Sequence, residues 1–284
     1  MNIGPTDLLN AFLNIFQASQ NHLLNPALRL LTVLALITIT WHALMWTLDE
    51  SGDALKEFLR KVIFIGAFIF LVKSFPWLVG QVISGFIWVG NTAGNQPNPS
   101  IVYNPTEIMR QGFVVCHQLT VEMANSDGFS QFAQYIRNFI EYLLIIICFM
   151  IMAIQVFLVN VELGIITTLG LMLVPFGVWK PTAFIAEKVF GAIISFGVKL
   201  MVLAFILAIA YPLMRTLEMP PDPRITDFIN TWLGAAMLAF LSFHAPSVAA
   251  GLIFGSPTLT TQHITSGVSR VTQQITRVVR GGKA

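Results

Sequence analysis

The sequence predicts an all-α fold, a polytopic helical membrane protein of about five transmembrane helices plus one re-entrant segment, with six spans as the alternative. Three observations lead there. Only 11% of the 284 residues are charged, against ~25% in soluble domains. Hydrophobic residues reach 55% and the mean hydropathy is +0.73. They are also gathered in runs long enough to cross a bilayer, separated by sparse charges. A net charge of +2 argues against a general polyanion binder. Two cysteines, Cys116 and Cys148, are too few for a disulfide framework.

Residues 1–28 carry no Lys or Arg before Arg29, so the basic start of a secretory signal is missing and no cleavage is expected. Thr6 or Asp7 can cap a helix in which Leu8, Leu9, Phe12, Leu13 and Phe16 form one stripe. That helix suits either a membrane interface or packing on the protein itself. Residues 29–90 hold spans one and two. Leu30 to Leu48 is uncharged, Asp49 to Lys61 carries seven charges, and Val62 to Gly90 is broken only by Lys73 and Pro76. The second run exceeds what one crossing needs, so a kinked or tilted helix is expected.

Residues 91–141 form the long polar excursion, opening on loop residues from Asn91 to Pro99. At Asn104-Pro105-Thr106-Glu107 a helix is expected to start, with Asn104 accepting from the first turn, Pro105 at a position needing no donor, and Glu107 bonding back to the cap. After Gly128 a further helix runs without a break into span three, Tyr142 to Val161. Within residues 142–255, Leu163 to Trp179 contains Gly164, Gly170, Pro175 and Gly177 and reads as re-entrant. Two more spans follow, Val189 to Met214 and about Trp232 to Phe254. Residues 256–284 form a tail with Arg270, Arg277, Arg280 and Lys283 and no acid.

Orientation by basic residues in loops is a tie. Six spans with the N-terminus inside, and five spans plus a re-entrant segment with the N-terminus outside, each leave nine Lys or Arg on the cytoplasmic side and five on the other. Both keep the basic tail in the cytoplasm.

Phe58-Leu59-Arg60-Lys61 leading to Ile83-Ser84-Gly85-Phe86, then Asn104-Pro105-Thr106-Glu107-Ile108, then Leu173-Val174-Pro175-Phe176-Gly177 through Glu187-Lys188 to Gly197-Val198-Lys199-Leu200-Met201, resemble in order and spacing the TrbL-type polytopic subunits of type IV secretion and conjugation machines. The resemblance covers roughly Leu30 to Phe254. It implies a homo-oligomeric subunit of a Gram-negative inner membrane, helping to pass DNA or protein substrates and supporting pilus assembly beside pilus, core and ATPase components. It also implies a periplasmic N-terminus and central loop and a cytoplasmic C-terminus, which favours five spans plus a re-entrant segment.

No phosphate loop, zinc-protease, serine-hydrolase or Cys-x-x-Cys motif occurs, so no enzyme activity and no cofactor are expected. The five histidines have no helical-spacing partner, and His42 and His244 in apolar runs are expected to bond a neighbouring helix. Lys199 is the most informative charge. At mid-membrane a lysine costs ~2.5–3.5 kcal/mol on insertion scales, so it should face protein or water, and carbonyls freed by Pro175 are its expected partner. A structural role and a place in a translocation path fit it equally. Glu162 and Lys180 bracket the re-entrant segment. Gly251 and Gly255 form a G-x-x-x-G, a candidate oligomer contact or plain packing. In the tail, Arg270 and Arg277 share a face of a basic amphipathic helix that, with Arg280, suits membrane lipid or a cytoplasmic partner. A secondary transporter of a small solute is the alternative function. Against it stand the shortage of mid-membrane ionisable groups and the lack of inverted repeats.

Overall fold

Long apolar runs demand internally satisfied backbone, and the computed structural model answers with helices throughout. It describes residues 4–46, 54–95, 99–124, 132–217 and 224–254, and among these there is no strand. Helix α1 spans Pro5–Trp46, α2 Ala54–Lys73, α3 Phe75–Ala93, α4 Pro105–Val115, α5 His117–Ala124, α6 Phe132–Gly170, α7 Ala183–Thr216 and α8 Ile225–Phe254. Short 3-10 turns occupy Pro99–Tyr103, Val174–Val178 and Lys180–Thr182. Helices α1, α6, α7 and α8 are long and apolar enough to cross a membrane, and the bent pair α2 and α3 supplies a fifth candidate. The fold is an all-α polytopic helical one.

At 42 residues, α1 is ~63 Å long at 1.5 Å per residue. It passes unbroken from the N-terminal amphipathic stretch into the first apolar run, through Pro26. A change of composition near Arg29 does not stop the helix, and Pro26 removes only the one ladder bond its missing N–H would have made. The expected kink in the second run falls at Ser74, where α2 and α3 meet at 70°. Pro76 sits in the first turn of α3, where its missing donor costs nothing.

The direction of each helix follows from its contacts. Phe12 meets Phe157 edge-on at 5.9 Å, Phe16 lies against Gly164, and Gln20 Nε2 donates to Thr167 Oγ1 at 3.3 Å, so α1 and α6 run parallel. Phe75 meets Phe190 at 6.5 Å, Phe86 lies on Gly197, and Gly90 lies on Met201 and Ala204, so α3 and α7 also run parallel. Segment 102–122 runs antiparallel to α6. Asn160 Nδ2 donates to the Val102 carbonyl at 2.8 Å, Gly112 lies on Phe149, and Asn138 Nδ2 donates to Glu122 at 2.9 Å. The buried face of this seam includes Ile108, Val115 and Leu119 from the polar excursion and Ile145, Phe149, Met152 and Val156 from α6.

The chain reverses later than the sequence predicts. Leu163 to Gly170 completes α6, and only residues 171–182 turn back toward α7. Gly164 and Gly170 are spacers inside a helix, because a Cβ at Gly164 would collide with Phe16 and one at Gly170 would come within 2.8 Å of Val189. Residues 132–217 therefore hold two membrane-length helices, α6 and α7, and no third span lies between them.

Candidate functional site: a polar clasp and a buried lysine

Asn104 caps α4 as its sequence predicts, with Oδ1 accepting from the Glu107 amide at 3.2 Å and Pro105 opening the helix. The same Oδ1 accepts from the Thr6 hydroxyl at 2.7 Å. Thr6 and Thr106 exchange two further bonds, Thr6 N–H to Thr106 Oγ1 at 2.9 Å and Thr106 N–H to Thr6 Oγ1 at 3.0 Å. Thr6 is thus a bridge between α1 and α4, and the Asp7 carboxylate takes the Gly4 amide at 3.0 Å.

Glu107 does not bond back to its cap. Its carboxylate accepts from Arg110 at 2.7 and 2.6 Å, from the buried Gln111 amide at 3.1 Å, and from the Tyr211 hydroxyl of α7 at 3.0 Å. The Arg110 guanidinium, followed by the Gln111 and Tyr211 donors, holds the Glu107 carboxyl at about 2 against an ordinary 4.5, with burial opposing. Together these bonds draw the start of α1, the start of α4 and the end of α7 into one clasp. Nothing in the clasp resembles a nucleophile beside a base, so its chemistry is attachment. Charge-assisted bonds fix three chain segments to one another.

Lys199 lies midway along α7, half-buried, with its ammonium 3.9 Å from the Phe196 ring centroid. The expected pairing with carbonyls near Pro175 is therefore corrected to a cation–π contact. Two reasons account for the difference. Gly177 packs beside Ala186, 13 residues and ~20 Å before Lys199 along α7. The Phe176 carbonyl already accepts from the Thr182 hydroxyl at 2.8 Å and the Trp179 carbonyl from the Thr182 amide at 3.0 Å. Pro175 is buried in its 3-10 turn.

Glu162 is exposed on α6, two turns before that helix ends, and Lys180 is exposed at the reversal. No ion pair joins them among the described residues. Gly251 is buried on α8. Gly255, Arg270, Arg277 and Arg280 fall outside the described residues. His42 and His244 each bond a carbonyl of their own helix, Thr38 at 2.8 Å and Phe240 at 2.9 Å, so the expected neighbouring-helix partner gives way to the residue one turn back. Among the described residues no three His, Cys, Asp or Glu stand close enough to hold a metal.

The close helix approach that the sequence offered at Gly251 is found in described structure at another G-x-x-x-G. A Cβ at Gly90 on α3 would meet the Met201 carbonyl and the Ala204 methyl, and one at Gly94, the residue that caps this helix, would meet Ala208. Gly90 and the capping Gly94 thus face Ala204 and Ala208 on α7, small residues four apart on both sides, the pattern that lets apolar helices touch backbone to backbone. Counting G-x-x-x-G spacings across Asn91 would have found it. The clasp between Glu107 and Tyr211, 104 residues apart, has no such local signal.

Residues 35–245 match the family model described as TrbL/VirB6 plasmid conjugal transfer protein. A probable conjugal transfer protein TrbL of Sinorhizobium fredii (strain NBRC 101917 / NGR234) is 25% identical over 258 residues, covering 88% of this chain. The chain spans 63% of that relative's length. The family match takes in α2 to α7 whole, including the clasp residues of α4 and α7, the Gly90 seam and Lys199. The chain belongs to the TrbL/VirB6 family of plasmid conjugal transfer proteins, and its long apolar helices make it a multi-pass membrane protein.

Proposed function

We propose that the chain is an oligomeric subunit of a Gram-negative inner membrane that lines or scaffolds the substrate route at the base of a type IV secretion machine, and that it supports pilus assembly. In this reading DNA or protein passes as a transient substrate, and pilus, core and ATPase components are its neighbours. The N-terminus and the clasp face the periplasm, and the basic tail with Arg270, Arg277 and Arg280 faces the cytoplasm. The family match supports the machine. The meeting of Thr6, Asn104 and Tyr211 supports the count of crossings. Five crossings bring those three points to one side, whereas six would put Tyr211 opposite Asn104. No observation favours a small-solute transporter.

The observation that carries the route assignment is Lys199, an ammonium kept half-buried in the middle of α7 with an aromatic face as its contact. Replacing it removes a mid-membrane charge costing ~2.5–3.5 kcal/mol. Lys199→Met is therefore expected to leave the amount of assembled complex unchanged or raised while lowering transfer frequency, both measured in the same cells. Normal abundance with normal transfer would remove Lys199 from the route. Reduced abundance would assign it to packing instead.

A further inference from the structure

Helix α6 has 39 residues, which makes it ~58 Å long at 1.5 Å per residue. A bilayer offers only ~30 Å of hydrocarbon and roughly 5–8 Å of headgroups on each side, so one end of α6 stands clear of the lipid. The clasp shows which end. Gly112 lies on Phe149 and α4 runs antiparallel to α6, so Arg110 is level with Ile151. Arg110 is exposed and paired with Glu107, which puts that height at or outside the edge of the hydrocarbon. Phe132, Ile136, Phe139 and Ile140 lie a further ~16–29 Å out along α6, past the headgroups. They are nevertheless 59%, 41%, 44% and 51% exposed, and their spacings of 4, 3 and 1 keep them on one helix face.

A second apolar face stands at the same height. Val189 of α7 lies on Gly170, and Leu217, 28 residues further on, lies on Gly234 of α8. Because α6 and α7 run in opposite directions, Gly234 is level with Tyr142, 28 residues before Gly170. Helix α8 packs back along α7 and α6, parallel to α6. Ile225, Ile229 and Leu233, which are 63%, 48% and 44% exposed, are therefore level with residues 133–141 of α6. The charges beside the two faces are already engaged, Arg137 with Glu141 and Asp227 with the Arg224 amide.

We propose that the α6 face of one copy packs on the α8 face of the next. Copies that span the same bilayer are related by rotation about its normal, and such a rotation preserves height. A closed ring therefore needs two different faces at one level, and Phe132 to Ile140 and Ile225 to Leu233 supply them. An unrelated partner would call for only one. Height excludes hydrocarbon as the cover, and exposed apolar faces of this kind mark protein contacts. This surface rests on the chain being oligomeric and lies outside the membrane, beyond the clasp and away from Lys199.

The test uses the full chain with both native cysteines replaced by alanine, expressed in the same cells as two differently tagged copies. One copy carries Ile136→Cys and the other Ile229→Cys, positions that are level, and a disulfide joining the two tags can only link separate copies. Oxidation in native membranes is expected to give a dimer that carries both tags. Ile136→Cys paired with Leu252→Cys is the control, because Leu252 is 62% exposed on α8 but ~34 Å further along that helix, and it should give no such dimer. Co-purification of two tagged cysteine-free copies in mild detergent reports the oligomer itself. Phe139→Asp, at an exposed position, should lower that co-purification roughly tenfold or more by leaving an unpaired charge in the contact. If the cysteine-free copies co-purify but the Ile136 and Ile229 positions do not cross-link, or cross-link no better than the Leu252 control, this surface is overturned and the oligomer stands. Unchanged co-purification of Phe139→Asp would overturn the surface in the same way. Cysteine-free copies that never co-purify would overturn the oligomer, and this surface with it.

Discussion

Gly90→Val is expected to reduce the amount of assembled protein several-fold. The obstacle that a side chain meets at this position is the backbone carbonyl of Met201, flanked by the Ala204 methyl, and neither can rotate aside. Valine must push α3 away from α7 along the seam that runs from Phe75 and Phe190 up to Gly94 and Ala208. Overpacking of this kind costs ~1–3 kcal/mol, and a loss of ~1–2 kcal/mol changes cellular abundance several-fold. The same helix supplies the control. A methyl group added at Gly80 would meet no neighbouring side chain or helix within 4 Å, so Gly80→Ala should be neutral or slightly stabilising, because alanine loses less backbone entropy on folding than glycine. Membrane levels of the two variants, compared by immunoblot and by thermal aggregation in detergent, separate a packing seam from a general intolerance of change in α3.

Glu107→Ala is expected to loosen α4 from α7. It strips the half-buried Tyr211 hydroxyl of its acceptor and Gln111, which is 2% exposed, of one of its two, leaving that amide the Tyr211 oxygen at 3.3 Å, and a donor left unpaired away from water costs roughly 1–3 kcal/mol. Glu107→Gln keeps an oxygen for those donors and loses only the charge that faces Arg110. The two variants should therefore differ, with the alanine protein the less stable. The pH dependence has a definite sign. The folded carboxyl, at about 2, lies below its ordinary 4.5, so its contribution is fully present above about 4.5 and disappears as pH falls toward 2. The melting temperatures of wild type and Glu107→Gln should be furthest apart above that window and converge below it. A constant gap across the window would mean that the Glu107 charge plays no part.

Much of the fold is legible in the sequence because bilayer physics writes it into composition. Apolar runs of bilayer length can only be helices or strands of a closed barrel, and the runs here carry helical lengths. The α4 start is legible for a local reason, since Asn104, Pro105 and Glu107 each have a place in a helix N-terminus. What local chemistry does not reveal is the choice among partners. Glu107 has a capping role available three residues back, yet Arg110, Gln111 and Tyr211 offer charge-assisted and buried bonds that outweigh it. The carbonyls around Pro175 look free in sequence, yet Thr182, six residues beyond Phe176, reaches back with its hydroxyl to Phe176 and with its amide to Trp179. The sequence ends α6 too early because Gly164 and Gly170 resemble helix breakers. In the fold they are the places where Phe16 and Val189 press in. Lys199 stands out in an apolar run, but the pattern does not single out Phe196, one turn earlier on the same helix, as its contact.

The five-crossing arrangement, with the clasp on the periplasmic side and the tail in the cytoplasm, is the claim on which the route assignment rests. Thiol accessibility tests it most directly. Both native cysteines are buried, and burial pushes the Cys116 thiol up to about 12, so both can be replaced by alanine without removing a surface group. Asn95 is a poor reporter position, because its φ of 57° is one that asparagine tolerates better than cysteine. His117, exposed where α4 meets α5, is the better one. In spheroplasts treated with a membrane-impermeant maleimide, His117→Cys should label at once and Gly281→Cys only after the membrane is permeabilised. Labelling of Gly281→Cys in sealed spheroplasts, with His117→Cys protected until permeabilisation, would contradict the arrangement.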